Sequence, residues 1–277
     1  MDTTEYRVGS NFGLIRIGDM FGADQWERNR GVAMQSDQQK GEAETVSKQP
    51  KSGPEAIQRA VAGHYSLSIE EVLSEAWSLI SGYKLKLNIA VLIYTVIAVV
   101  AGLIVGGLQV LTGENIAAMV LGELAYAFVT LPVAMGLFAI SLDRASGGDV
   151  HNDRLFQFFP WAMRLLFTTV LMTLLLLIGY LLLILPGIYL SVAYLFAMPL
   201  LVREQMGIVQ ALEASRKSIT HRWFTVFGLL VALAVINVVG AIPFGIGLIW
   251  TIPLSVIATG LAYQKIFIDN ATTDAAA

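Results

Sequence analysis

Cysteine does not occur in this chain. Its absence excludes disulfides, thiolate metal sites and cysteine nucleophiles. Histidine is found only at positions 64, 151 and 221. No two of these have the HxxxH or HExxH spacing that would set a pair of imidazoles on one helix face, so no metal and no cofactor is expected. A Walker loop is also missing: Gly102, Gly106 and Gly107 lie inside an apolar run, where no phosphate cradle forms. Charge is scarce. Charged residues make up 14% of the chain, against about 25% in a soluble domain. The deficit lies after residue 86. A formal charge of −3 without a basic block excludes a nucleic-acid surface.

What is abundant is apolar sequence: 56% of the residues are hydrophobic and the mean hydropathy is +0.66. The stretches 87–111 and 116–142 are each long enough to cross a hydrocarbon core of about 30 Å. The run 165–202 contains no charged residue and would overshoot any bilayer as one helix. Pro186 and Gly187 divide it, which predicts a hairpin turn there. The second arm, 188–202, is about 22 Å long by helix rise and short for a full crossing. The stretches 224–241 and 244–268 flank a turn at Pro243 and Gly245.

The gaps between these stretches alternate in charge. None of the 18 Lys and Arg residues falls in the gap at 113–114, at the Pro186–Gly187 turn or at the Pro243–Gly245 turn. Arg144, Arg154, Arg164, then Arg203, Arg216, Lys217 and Arg222, then Lys265 occupy the other gaps and the last exit; the remaining ten precede residue 87. Basic loops stay on the cytoplasmic side. The sequence thus predicts an all-α, polytopic membrane protein of six spans in three hairpins, with both termini cytoplasmic. An early apolar core is missing, so targeting falls to the first span as an uncleaved anchor.

Three segments follow. Residues 1–65 read as a disordered cytoplasmic segment, because 34–63 is rich in Gln, Lys, Glu, Ser and Gly and cannot bury a core. Residues 66–268 form the membrane domain and 269–277 a cytoplasmic tail. At the start of the domain, Ser68 and Glu71 form a capping-box pattern. Ile69, Val72, Leu73, Ala76, Trp77 and Ile80 recur at helical spacing. Two readings stand: an amphipathic helix at the membrane surface, or a cytoplasmic helix packed on its neighbours. A second surface helix is predicted over 207–223, with Arg216, Lys217 and Arg222 placed to meet lipid headgroups.

Thr130-Leu131-Pro132, Ala197-Met198-Pro199 and Thr251-Ile252-Pro253 suggest a threefold internal repeat. Its unit is a surface helix, an outward span, a tight turn and a return span kinked at Pro132, Pro199 or Pro253. Such spans either enclose a central space or simply pack as a bundle.

Leu185-Pro186-Gly187-Ile188-Tyr189-Leu190, Ala197-Met198-Pro199-Leu200, Ala211-Leu212-Glu213-Ala214-Ser215-Arg216 and His221-Arg222-Trp223 together resemble a group of bacterial six-span membrane proteins. That group includes the YciC-type inner-membrane proteins and the membrane domain of some glycerophosphodiester phosphodiesterases. The resemblance spans roughly 66–268. It implies a bacterial inner membrane and the six-span fold, but no activity. The hydrolase barrel, which needs well over about 200 further residues, is not matched.

Candidate chemistry is thin. Glu123 is the one ionisable residue well inside a stretch, and intramembrane carboxylates are costly and often functional. The alternative is a carboxylate that stays protonated or faces water. Asn237 is expected to hydrogen-bond to a neighbouring helix. Thr251 and Tyr126 are further polar groups with nothing to tie them to Glu123. Asp143-Arg144 and Arg203-Glu204 read as interfacial charges. Gly102 and Gly106 match the close-packing GxxxG spacing. The expected function is non-catalytic: membrane or envelope organisation through lipids or a membrane-protein partner. A small-solute or lipid transporter and a lipid-modifying enzyme are the alternatives, the last without a paired acid and base.

Overall fold

The computed structural model describes residues 52–113 and 115–269. Among these there is no strand, and the regular elements are all helical. The ten α-helices among the described residues are α1 (Pro54–Val61), α2 (Ile69–Ile80), α3 (Lys84–Thr112), α4 (Ile116–Ala145), α5 (Ala162–Leu182), α6 (Ile184–Ala193), α7 (Ala197–Arg203), α8 (Ile208–Thr220), α9 (Trp223–Ala241) and α10 (Leu248–Phe267). Two 3-10 turns, Asn152–Phe156 and Phe159–Trp161, link α4 to α5. Five helical runs are long and apolar enough to cross a membrane: Lys84–Thr112, Ile116–Ala145, Asn152–Leu182, Ile184–Arg203 and Trp223–Ala241. α10 has the length, 20 residues, but Thr251, Ser255, Thr259, Gln264 and Lys265 dilute its apolar character.

α4 is the central helix. α3, α5, α7, α10 and both 3-10 turns pack on it. Its buried residues run from Thr130 to Ala145, and none lies in the half that begins at Ile116. α10 repeats this, with burial from Pro253 to Phe267. α3 buries only Leu87 and Ala90, both near its start. The packed core therefore sits at the end of the bundle that carries Lys84, Arg144, Arg203 and Lys265, here called the basic end.

At the opposite helix ends the close contacts are made by glycines. A Cβ on Gly240 would lie 2.9 Å from Thr251, and one on Gly247 2.5 Å from the Gly240 carbonyl. Apolar side chains gain little by leaving lipid for one another, so small residues that let backbones touch take over. The GxxxG spacing in α3 is used only in part: Gly102 looks toward Tyr126 of α4, whereas nothing approaches Gly106.

Several expectations are corrected. The disorder expected over 1–65 does not hold for residues 54–65. Residues 54–61 form α1, whose Ala56 and Ala60 are buried, and Tyr65 donates to the Ser218 carbonyl at 2.7 Å. Residues 1–51 and 270–277 lie outside the described residues. The chain turns at Leu182–Leu183, not at Pro186–Gly187. Leu183 is extended, and Pro186 sits in the first turn of α6, where its missing N–H costs nothing. Gly187 serves contact: a Cβ there would collide with the Tyr180 ring. Phe244 and Gly245 have φ of 51° and 78°, so the turn beside Pro243 falls where expected. Pro132 and Pro253 lie inside continuous helices. Pro199 starts a helix instead of kinking one, because the break falls upstream, at residues 194–196.

Ser68 occupies the N-cap of α2, but its side chain makes no cap bond. Val72, Ala76 and Ile80 of α2 are buried against α10 and its neighbours, and Trp77 is exposed. The packed-helix reading of α2 is the one the structure adopts. The middle surface element forms 3-10 turns, with Pro160 in the second.

Candidate functional site

The break in the middle return helix has a dedicated support. A chain interrupted between Ala193 and Ala197 leaves backbone groups without helical partners, and buried ones must find others. Ser215 of α8 supplies them. Its hydroxyl donates to the Ala193 carbonyl at 2.8 Å and accepts from the Phe196 amide at 3.2 Å. Ser215 is fully buried. The sequence held a signal for it: a hydroxyl among Ala211, Leu212 and Ile219 on the apolar face of α8.

The break aims Leu195 and Met198 into a cleft between α4, α7 and α10. The cleft holds about 330 Å³ and is lined by Met135, Phe138, Leu195, Met198, Pro199 and Ser255, among others. The three proline-bearing helices thus border an open cleft. Its floor is aromatic. Tyr263 packs edge-on against Phe138 at 5.4 Å and Phe196 at 5.6 Å, and Phe267 lies 4.9 Å away. Such pairs contribute about 0.5–1.5 kcal/mol each beyond burial.

Beneath this cluster the chemistry turns polar. The Tyr263 hydroxyl donates to Glu204 Oε1 at 3.3 Å, which also accepts from the Ser52 amide at 3.3 Å. The Arg203 guanidinium lies 5.9 Å from the Tyr263 ring centroid. Arg203 and Glu204 border a second cavity of about 550 Å³ with Ser52, Pro54, Gln58 and Met206.

The neighbouring wall of the bundle contains a buried ion pair, Arg154–Asp143 at 2.5 Å. Arg154 reaches it because the 3-10 turn presses into α4. The Leu155 backbone occupies the place where Gly136 has no side chain; a Cβ there would approach it to 2.3 Å. Asp143 and Arg203 are both buried against protein. Sequence reading placed them by their distance from the apolar stretches and had no means to see a loop folding back.

Glu123 is exposed on α4, and no hydrogen bond or ion pair reaches it among the described residues. Asn237 lies elsewhere. Its amide nitrogen donates to Leu233 O at 2.9 Å and to Ser255 Oγ of α10 at 2.7 Å. That is the expected inter-helix bond, worth about 0.6 kcal/mol. Tyr126 belongs to the α3–α4 seam. Among the described residues no hydrogen bond ties Asn237, Thr251 or Tyr126 to Glu123.

Arg216 and Lys217 share one carboxylate. Glu213 accepts from Arg216 at 2.8 and 3.0 Å and lies 3.2 Å from Lys217. The Arg216 hydrogen bond is the main cause that holds Glu213 below the usual carboxylate range. Arg222 is exposed and stands close enough to Tyr65 to offset part of the burial that pushes its phenol up to about 12.

α3, α5 and α9 each start at an aromatic residue. Tyr83 precedes α3, with Arg144 stacked on its ring at 3.9 Å and its hydroxyl donating to Asp149 at 2.5 Å. Trp161 precedes α5, with Arg164 over its ring at 4.9 Å. Trp223 opens α9, stacked on Phe227 at 5.0 Å, its indole N–H donating to Tyr189 O at 3.2 Å. Amphipathic rings suit the boundary between hydrocarbon and water.

His221 packs against Gly63, next to His64 in the chain. His221 Nε2 lies 3.0 Å from Val61 O and His151 Nδ1 3.3 Å from Asp149 O. Among the described residues no group of three or more His, Asp or Glu side chains is placed to hold a metal. No protein-family model, curated protein or solved structure matches the chain.

Proposed function

We propose that this is a bacterial inner-membrane protein of six spans in three hairpins, with both termini cytoplasmic. It acts without catalysis, organising the membrane through lipid contacts at its basic end and, as a further route, a membrane-protein partner. One observation carries this reading. The basic end is a packed core ringed by Tyr83, Trp161 and Trp223 with cations beside them, while the other helix ends show apolar side chains such as Leu103, Leu111, Val120 and Val238. That pairing matches a cytoplasmic interface below a lipid-facing hydrocarbon zone. Arg216, Lys217 and Arg222 add headgroup contacts there, two of them moderated by Glu213.

The test uses the natural absence of cysteine. Thr112→Cys, Leu183→Cys and Phe244→Cys should react with an impermeant thiol reagent only from outside the cell, and Ser146→Cys only from the cytoplasm. Labelling of Ser146→Cys and Thr112→Cys from one side would sink the topology. Protection of Leu183→Cys from both sides would mean that the middle pair dips into the membrane without crossing. That pair leans on α8, since the Tyr189 hydroxyl lies 2.6 Å from Thr220 Oγ1.

A second reading, transport of a small solute or lipid, rests on the cleft of about 330 Å³ and the cavity of about 550 Å³ on either side of the aromatic cluster. Tyr263→Ala would open that cluster. A substrate flux that rises in this variant favours transport; a flux indistinguishable from lipid-only vesicles in both forms favours the first reading.

A further inference from the structure

The segment 152–164 has two unlike sides. One side is pinned. Arg154 and Leu155 are buried, the first by its ion pair with Asp143 and the second by its backbone contact with Gly136. The other side is open. Phe156 and Phe159 stack at 6.3 Å, yet are 48% and 39% exposed. Met163 beside them is 53% exposed. Arg164 is exposed, lies over Trp161 and forms no ion pair among the described residues. Asp153 is the exposed carboxylate of the same segment, and Asp143 is consumed by Arg154.

The segment is thus held rigidly while presenting an apolar aromatic pair next to an uncompensated guanidinium. Two features say what covers it. The apolar surface continues without interruption into Phe167, Val170 and Leu174 of α5, a helix apolar enough to lie in hydrocarbon. The guanidinium is complementary to a phosphate at the depth where that surface ends. The first corner differs. There Arg144 is turned inward, donating to Leu79 O at 2.9 Å, and Asp149 stands beside Tyr83.

We infer that segment 152–164 is a phospholipid-binding wedge. Phe156 and Phe159 insert among the acyl chains of the cytoplasmic leaflet, and Arg164, steadied by Trp161, holds the phosphate of one phospholipid. This rests on the membrane reading above and adds a named site and ligand chemistry to it.

The test uses the full chain in vesicles of phosphatidylcholine and phosphatidylglycerol, with a water-soluble thiol reagent on both sides of the bilayer. Phe159→Cys should react about tenfold more slowly than Ser146→Cys, because hydrocarbon excludes the reagent and suppresses the thiolate. Protection should vanish in detergent small enough to exchange. Equal rates in vesicles would overturn the inference, and so would protection that persists in detergent, which would mean that protein covers the site. Native mass spectrometry of the same vesicle-derived protein gives the second arm. Arg164→Gln should lower retained phospholipid about tenfold, and Arg59→Gln should leave it unchanged. Unchanged retention in Arg164→Gln, or displacement of the lipid by soluble glycerol phosphate, would overturn the phosphate assignment. Sidedness at Leu183 does not enter either arm, so failure here is distinguishable from failure of the six-span topology.

Discussion

Ser215 donates its hydroxyl to the carbonyl of Ala193, 2.8 Å away and across a helix boundary. The same oxygen receives the Phe196 amide, so one side chain closes both ends of the interruption between α6 and α7. Ser215→Ala leaves a buried carbonyl and a buried amide unpaired. The expected loss is about 2 kcal/mol, read as a lowered melting temperature in detergent. A loss no larger than in Ser78→Ala, an exposed helix serine, would show that the break needs no support.

Gly136 and Gly106 make an internal comparison. Both sit in long apolar helices, but only Gly136 faces backbone, that of Leu155. Gly136→Ala should destabilise by about 1–3 kcal/mol through overpacking and expose segment 152–161 to protease. Gly106→Ala should be neutral or slightly stabilising. Equal effects at both positions would refute the close approach.

The pair Asp143–Arg154 is buried on both sides. Asp143→Asn removes one charge and strands the other, at a cost of about 3–5 kcal/mol. The double change Asp143→Leu with Arg154→Met should recover most of that loss, since apolar replacement of a whole buried pair is often neutral. Urea or heat titration of the three proteins decides it.

Glu213 gives a pH dependence. Its folded pKa is lowered, so its contribution is complete above the ordinary glutamate value and is lost as pH falls through the lowered one. Wild type and Glu213→Gln should therefore differ near neutrality and converge only once the pH has fallen below that lowered value. The group is half exposed, and the gap should be small, about 0.3 kcal/mol per pair. At neutral pH, Glu213→Gln releases Arg216 and Lys217 and should tighten association with anionic vesicles.

Much of the helical layout was legible. Apolar periodicity located α2 and α8, apolar length located α3, α4 and α9, and two gaps free of Lys and Arg fall just before Ile116 and Leu248. The prolines misled, because residue type alone does not separate a helix breaker from a first-turn residue. Pro186 and Pro199 both proved to be first-turn residues, and the true break at 194–196 contains Tyr194, Leu195 and Phe196, none of them a breaker. Buried charge was hidden for another reason. Asp143 meets Arg154 only because a glycine seven residues earlier admits the Leu155 backbone, and that relation spans two segments. Glu123 drew notice as a charge in apolar sequence, yet it meets no partner among the described residues, while the polar chemistry gathers around Tyr263 and Glu204.

The uneven burial along the helices has a mechanical consequence. In a bilayer, the welded end would displace lipid as one solid body, whereas the opposite ends meet pairwise, backbone to backbone at glycines, and turn exposed Leu and Val to the acyl chains. The two leaflets then give up unequal areas to the same protein.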